Sequence, residues 1–434
     1  MDRLKAAIIG AGVGGLCLAQ GLKRSGVAVE VFERDASRTS PVEGYRFSIS
    51  PTGSRALKAC LPDAVFESLT QQASEPSRSV TFFDHRLNRL LAMDLPHVDR
   101  RQLDAERPIG RAILRRALLD GLDDVVRFGK KFVSFEDGPD GRVTARFADG
   151  STAAADLLIG ADGANSAVRH QLLPDAKRIE TGIVAVGGKI PLSDEVRALT
   201  PQAIMRGPTL ILGPRGCFMF WSAVQYGDLD VGGEAPGPAP GREIPEKDRE
   251  QYVTWGFSAP RTQFDFPGRL EELCGDELKR VVDRLTAVWN PNLRRLVQKS
   301  DASTVHSFSV KTSVPVRPWK TRNVTLLGDA LHNMPPYRGV GANAALWDAA
   351  LLCETIVAVD WGDQPLLPAL AHYERQMIDH GFRLVCASLD NTARFHAESP
   401  IRRAITKAVF RTVDHAPPLK AAMLGGRQTP LSSS

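Results

Sequence analysis

Three glycine-rich turns carry the residues whose types and spacing could do chemistry. The first is GAGVGG, in which Gly10, Gly12 and Gly15 form GxGxxG, with Glu33 further along. Gly10 permits a tight turn, Gly12 lets a pyrophosphate approach the backbone, and Gly15 lets a helix pack closely on a strand. The free N–H groups of that helix then point at the phosphates. Glu33 is placed to accept hydrogen bonds from a ribose diol, and its charge favours FAD or NAD over a 2′-phosphorylated dinucleotide. The second turn is GADGANSAVR, with Asp162, Gly163 and Arg169; the third is GDALHNMPPYRGVGAN, with Asp329, His332, Arg338, Gly339 and Gly341. Each of the last two offers a carboxylate at a strand tip ahead of a helix.

These residues need strands and helices to hold them. The apolar run at 5–9 predicts a strand, 13–23 a helix and 27–32 a second strand, which is the βαβ setting that GxGxxG requires. Residues 157–159 predict a strand running into the second turn, with Asn165 or Ser166 as cap of the following helix. Residues 324–327 predict the strand before the third turn, and 341–343 open another helix.

Together these segments, with GRAILRRALLDGL from Gly110, resemble the class A flavoprotein aromatic hydroxylases, the para-hydroxybenzoate hydroxylase-like FAD monooxygenases. The resemblance implies an α/β fold: a Rossmann-like FAD-binding domain of glutathione-reductase type, discontinuous in sequence, with an antiparallel β-sheet substrate domain and a C-terminal helical segment. It implies that Gly10, Gly12 and Gly15 contact the FAD pyrophosphate and Glu33, with Arg34 beside it, the adenosine ribose. Arg46 and Arg111 fall on the flavin side. Asp162 and Gly163 lie near FAD and the transient donor, and Asp329 near the ribityl chain or pyrophosphate. Pro336 stiffens the third loop, and Gly339 and Gly341 admit the ring closely. Gly341, Ala342 and Asn343 offer backbone N–H groups to the isoalloxazine. His332, matching the family's GDAxH, packs beside the pyrophosphate rather than acting on substrate. Many relatives read PPxGGQGxN; here Arg338 and Val340 replace a Gly and the Gln.

The implied reaction uses NADH or NADPH and O2 to hydroxylate or epoxidise an electron-rich, aromatic or polyketide-like molecule through a flavin C4a-hydroperoxide. No catalytic side chain is assigned and no metal is indicated. Competing readings are a flavoprotein reductase or oxidase of the same fold and a plain NAD-dependent dehydrogenase. The dehydrogenase leaves the second and third turns unexplained.

The cofactor signals divide the chain into FAD-binding segments at 1–75, 101–180 and 300–360, substrate segments at 76–100 and 181–299, C-terminal helices at 361–424 and a flexible tail at 425–434. Aromatic-rich runs around Phe218, Phe220, Trp221, Tyr226 and Trp255 predict antiparallel strands, with Trp221, Tyr226, Phe220 and Arg338 as pocket candidates. The proline-rich stretch from Gly232 predicts a long loop. No room is expected for a thioredoxin-like domain after the helices.

A net charge of +5 over 434 residues, without a basic run, gives no reason to expect nucleic acid. Six cysteines without CxxC spacing read as free thiols. No run of 18 apolar residues is visible, so no membrane insertion is expected, and the chain reads as a cytoplasmic monomer or homodimer.

Overall fold

In a computed structural model the described residues are 3–40, 44, 46–96, 98–99, 102–138, 141–226 and 250–420. The proline-rich stretch from Gly232 and the tail at 425–434 lie outside them. The chain forms two compact units, the first comprising Met1–Ala73, Arg101–Ile179 and Lys311–Leu389, the second Ser74–Arg100, Glu180–Val310 and Asp390–Ser434.

The first unit is built on a five-stranded parallel sheet in the order Val324–Leu326, Leu157–Gly160, Lys5–Ile9, Ala28–Phe32, Val126–Arg127. The Lys5–Ile9 strand is central because both its faces are apolar: Ala6, Ala7, Ile8 and Ile9 are all buried. The Val13–Arg24 helix leaves it directly and packs against the helices Gly341–Asp360 and Pro51–Cys60. Glycine allows that contact: a Cβ at Gly21 would sit 2.5 Å from Cys353 Sγ and 3.2 Å from Cys60 Sγ. A two-stranded ribbon, Arg46–Ile49 with Arg107–Gly110, and a three-stranded antiparallel sheet over 132–155 complete the strands.

One helix meets a membrane-spanning length, and one expectation needs correction. The Gly341–Asp360 helix is, by length and composition, long and apolar enough to cross a membrane. Here Leu346, Ala349, Leu352 and Ile356 are buried, and the helix packs on two neighbours of the same unit. The Leu366–Phe395 helix was expected in a separate C-terminal segment, yet its length as far as Leu389 belongs to the first unit. The reason is a set of bonds to the edge of the parallel sheet. Tyr373 donates from its hydroxyl to Leu326 O at 2.9 Å. Thr325 and Thr321 donate to the Glu374 carboxylate at 3.0 and 2.6 Å.

Burial pushes the Glu374 carboxyl up to about 7 from an ordinary value of 4.5. The folded form therefore binds the proton more tightly than the unfolded form. This contribution to stability is complete below pH 4.5 and is lost as pH rises through 7. Glu374→Gln, neutral at every pH, is expected to be more stable than the parent at pH 8 by up to about 3 kcal/mol. The two should converge below pH 5. Urea unfolding at both pH values checks this; a constant difference would refute it.

The second unit carries a seven-stranded sheet in the order His306–Ser313, Arg178–Pro191, Tyr252–Pro260, Phe218–Val224, Thr209–Leu212, Ser79–Asp84, Arg89–Asp94. It was expected to be antiparallel, but Thr209–Leu212 runs parallel to Ser79–Asp84. A parallel neighbour needs a long connection, and everything between residues 84 and 209 supplies one. One sheet face is covered by the helices Gly275–Leu285 and Pro291–Gln298, through Leu278, Val282, Leu293 and Leu296. Trp221, Trp255, Met219 and Phe257 point into that covered core. The pocket assignment for Trp221 is thereby corrected: its strand alternates, and Trp221 is on the helix-covered side and fully buried. Trp255 donates to Ser300 Oγ at 2.7 Å from the same core. Phe220 and Tyr226 are half-buried. The segment after Thr200 opens with a short helix, Gln202–Arg206, ahead of the strand at Thr209–Leu212.

Candidate active site

The three turns meet at the carboxyl ends of three adjacent strands of the parallel sheet. Gly10 has φ +106°, and a Cβ there would fall 2.5 Å from Ala161 O. A Cβ at Gly15 would lie 2.2 Å from Gly10 O. The first and second turns therefore touch backbone to backbone, with Ala161 N–H donating to Ile9 O at 2.8 Å. Leu327 N–H donates to Gly160 O at 3.0 Å and brings the third turn alongside. Ligands of open α/β sheets bind in the crevice beyond such strand ends.

Gly12 caps the Val13–Arg24 helix without a side-chain bond to its first turn, and a Cβ on it would meet only Ala161 O, at 3.9 Å. Free amides, a helix N-terminus and open space make this a fitting phosphate cradle. Glu33 is buried and its Oε2 accepts from Ala11 N–H at 2.6 Å, its Oε1 from Asp35 N–H at 2.9 Å. It fixes the glycine loop, and its remaining lone pairs are those available to a ribose diol. Arg34, next to it, is exposed.

Asp162 serves the second turn as a helix cap. Its Oδ2 accepts from Ala167 N–H at 2.7 Å and Val168 N–H at 3.3 Å. Ser166 is the N-cap residue, accepting from Arg169 N–H at 2.9 Å. The other carboxylate oxygen, Oδ1, is buried without a protein partner, and burial raises this carboxyl above its ordinary value. An orphaned buried acceptor is costly unless a ligand supplies a donor. Gly163 follows with φ +74° and open space where a Cβ would be. Arg169, 3% exposed, donates to Ala164 O at 3.1 Å and Ala330 O at 2.8 Å, tying the second turn to the third.

The third loop folds back on itself. Asp329 opens a short helix, Asp329–His332, and a Cβ at Gly341 would sit 3.8 Å from Asp329 Oδ1. Burial raises the Asp329 carboxyl, against the pull of His332, Arg111 and Arg178. Pro336–Arg338 form a 3-10 turn that ends at Gly339, in the left-handed region at φ +65° with nothing within 4 Å of a Cβ. Pro336, Arg338 and Gly339 are exposed; Gly341 and Ala342 are half-buried at the start of the next helix. That helix begins at Val340 without a side-chain cap, so its first amides are available.

Arg46 and Arg111 are brought together by the ribbon, in which Arg46 faces Gly110. The Arg111 guanidinium lies 4.3 Å from the Phe47 ring centroid and against Gly44.

Sequence reasoning missed two roles. Asn343 was expected to act through its backbone; its buried side chain is a clamp. Its Oδ1 accepts from Ser50 N–H at 2.8 Å, and its Nδ2 donates to Ser48 O at 2.9 Å and Gly339 O at 3.4 Å. The other is Asp348, fully buried against His332. The signal for it was present: a lone acid in the apolar run AALWDAALL.

The comparisons with known proteins agree with this geometry. A model described as an FAD binding domain matches residues 278–387, and one described as an NAD(P)-binding Rossmann-like domain matches 8–56. The FAD-dependent urate hydroxylase of Klebsiella pneumoniae is 30% identical over 382 residues, 87% of this chain and 86% of that protein. The chain belongs to the class A FAD-dependent hydroxylase family. The crystal structure of Klebsiella pneumoniae HpxO complexed with FAD and uric acid superposes with a TM-score of 0.78 at 25% identity, covering 99% of this chain and 98% of that one. A dual O-methyltransferase/FAD-dependent monooxygenase of Cercospora beticola is 30% identical over 87% of this chain, but the match spans 44% of that protein's length. The cofactor of the family is FAD, and the orphaned Asp162 oxygen, the open space at Gly12 and the uncapped helix starts fit it.

Proposed function

We propose that the chain is a monooxygenase that hydroxylates an electron-rich, aromatic or polyketide-like small molecule, with NADH or NADPH as electron donor. The balance is substrate C–H, O2, NAD(P)H and a proton giving substrate C–OH, water and NAD(P)+. The observation that carries the reading is the convergence of Gly10–Gly15, Asp162 and the Asp329–Gly341 loop on adjacent strand ends. Bound FAD supplies electron storage and the activation of dioxygen. The glycine turn and Glu33 hold the adenosine and pyrophosphate half. Asp329 and the amides at 341–343 hold the ribityl and ring half. The helix N-terminus at Gly341 favours negative charge on the ring edge it meets. Support for an aromatic substrate comes from the relative named for urate and the neighbour crystallised with uric acid.

The test is anaerobic mixing of the yellow protein with NADH or NADPH, then admission of labelled O2 with candidate phenols. The reading requires that one ring compound accelerates flavin reduction and carries one labelled oxygen atom in its product. Reduction with no labelled product from any candidate favours the reductase alternative.

Arg338 is exposed beside Gly339, on the loop where relatives carry glycine. We assign it to meeting an anionic group of substrate or NAD(P)H. A charge-assisted bond is worth about 1.5–3 kcal/mol. Arg338→Ala is therefore expected to raise KM for that ligand about tenfold or more while leaving FAD content unchanged. Steady-state kinetics over both ligands checks it; unchanged KM for both returns Arg338 to a solvated role.

A further inference from the structure

A buried acid in the middle of an apolar helix calls for an explanation. Asp348 sits in the Gly341–Asp360 helix, and neither it nor His332 exposes any side-chain surface. His332 Nε2 is 2.7 Å from Asp348 Oδ2, and the same oxygen accepts from Gly328 N–H at 2.7 Å. Burying two charges costs several kcal/mol per ion, and an apolar pair of equal volume would cost less. The pair is nevertheless firmly built in. A Cβ on Gly381 would fall 2.4 Å from His332 Cδ2, so the long helix closes on the imidazole through a glycine. Trp347 stacks on His380 at 4.2 Å beside it.

Asp329 lies between the two anchor points, with Ala330 and Leu331. Asp348 holds the chain at Gly328, immediately before Asp329, and at His332, one helical turn after it. Gly328 adopts φ 61° and ψ −141°, a conformation that side chains rarely take, and a Cβ there would lie 2.8 Å from Ala345 Cβ. A backbone in that state persists only when its surroundings determine it.

We propose that Asp348 and His332 are positioning residues for FAD: a buried ion pair that fixes the Gly328 turn and thereby sets the place and charge of the Asp329 carboxylate. The role rests on the FAD reading of this loop and deepens it. Burial would pull the His332 imidazolium down, but the carboxylates of Asp348 and Asp329 outweigh it and hold the ring above its ordinary value. The charged and titratable groups facing the pair are Asp329, His380, Tyr373 and, through Asp329, Arg111 and Arg178. When the imidazolium loses its proton, the buried Asp348 carboxylate and the half-buried Asp329 carboxylate lose their shared counter-charge.

The test uses apoprotein reconstituted with FAD, and reads the FAD dissociation constant by flavin fluorescence from pH 6 to 9. The variants are Asp348→Asn, His332→Gln and the double His332→Gln/Asp348→Asn, in which both partners are neutral and the burial cost is removed. Asp348→Asn is expected to weaken FAD binding at least tenfold at pH 7. In the parent, FAD binding weakens as pH rises above the His332 value; in the double variant it is flat with pH and at least tenfold weaker than the parent at pH 6. Thermal unfolding of the same apoproteins separates the roles. A merely structural pair gives a double variant that recovers both stability and FAD affinity, and that result would overturn the assignment. So would a parent whose FAD affinity does not change with pH. A parent that binds no FAD removes the FAD reading itself, whereas a parent that binds it as tightly as every variant removes only the positioning role.

Discussion

Gly15→Ala is expected to yield a protein without flavin and with its first unit severely destabilised. The new methyl carbon would lie 2.2 Å from Gly10 O, 3.1 Å from Ala161 Cβ and 3.3 Å from Ile8 Cγ2. The first of these contacts is backbone, so no rotamer relieves it; the helix must move off the sheet. Ordinary overpacking costs about 1–3 kcal/mol. Here the displaced helix is also the phosphate cradle, so stability and cofactor are lost together. Gly12→Ala is the control, because its methyl meets only Ala161 O, at 3.9 Å. That variant should unfold at the parent's urea midpoint yet hold FAD weakly, its methyl standing where a phosphate comes close. Absorbance near the flavin band and urea titration measure both. Retention of flavin by Gly15→Ala would show that this close approach is not needed.

The second large effect is expected of Asn343→Ala. The side chain makes all three bonds of its clamp from a nearly buried position, and removal leaves Ser50 N–H and Ser48 O without that partner. A buried group left unpaired costs about 1–3 kcal/mol. The two groups sum to about 2–6 kcal/mol, and the longer bond to Gly339 O adds little. The loss is local: the ribbon end near Ser48, the helix start at Pro51 and the loop at Gly339 come apart from one another. FAD release should be at least tenfold faster, because loop and helix start both face the ring end of the site. Stopped-flow displacement of bound FAD, with a thermal melt of the same sample, checks it. Parent-like release would confine Asn343 to its backbone.

Much of the first unit was legible because its signals are local. GxGxxG sits within a single strand–turn–helix, and Gly15 answers a contact with Gly10 O five residues away, although Gly10 and Gly12 face Ala161 of the second turn. The two later turns were legible by the same logic, down to a cap at Asn165 or Ser166, of which the fold uses Ser166. What was not legible depends on pairing across the chain. Residues 300–310 were assigned to the cofactor segments, yet the structure counts them in the second unit, because the His306–Ser313 strand is the edge of the seven-stranded sheet. Alternation around Trp221 revealed two faces but not which one the helices at 275–298 would cover. The side-chain roles of Asn343 and Asp348 were hidden for a similar reason. Sequence marks a residue as polar; only the fold shows which backbone amides come to it.

The strand order of the parallel sheet has a consequence for how this protein is made. Its central strand, Lys5–Ile9, is synthesised well before its neighbour at 157–160 and the edge at 324–326. The loop of Asp329 and the helix that seals that edge through Tyr373 are later still. Until those segments are made, the sheet is apolar and half-paired, with long loops still to close. The turn at Gly10 is completed only when Ala161 comes beside it, and the loop of Asp329 follows both. A ligand that binds only the completed fold draws the chain toward it, so added FAD is expected to raise the yield of folded protein.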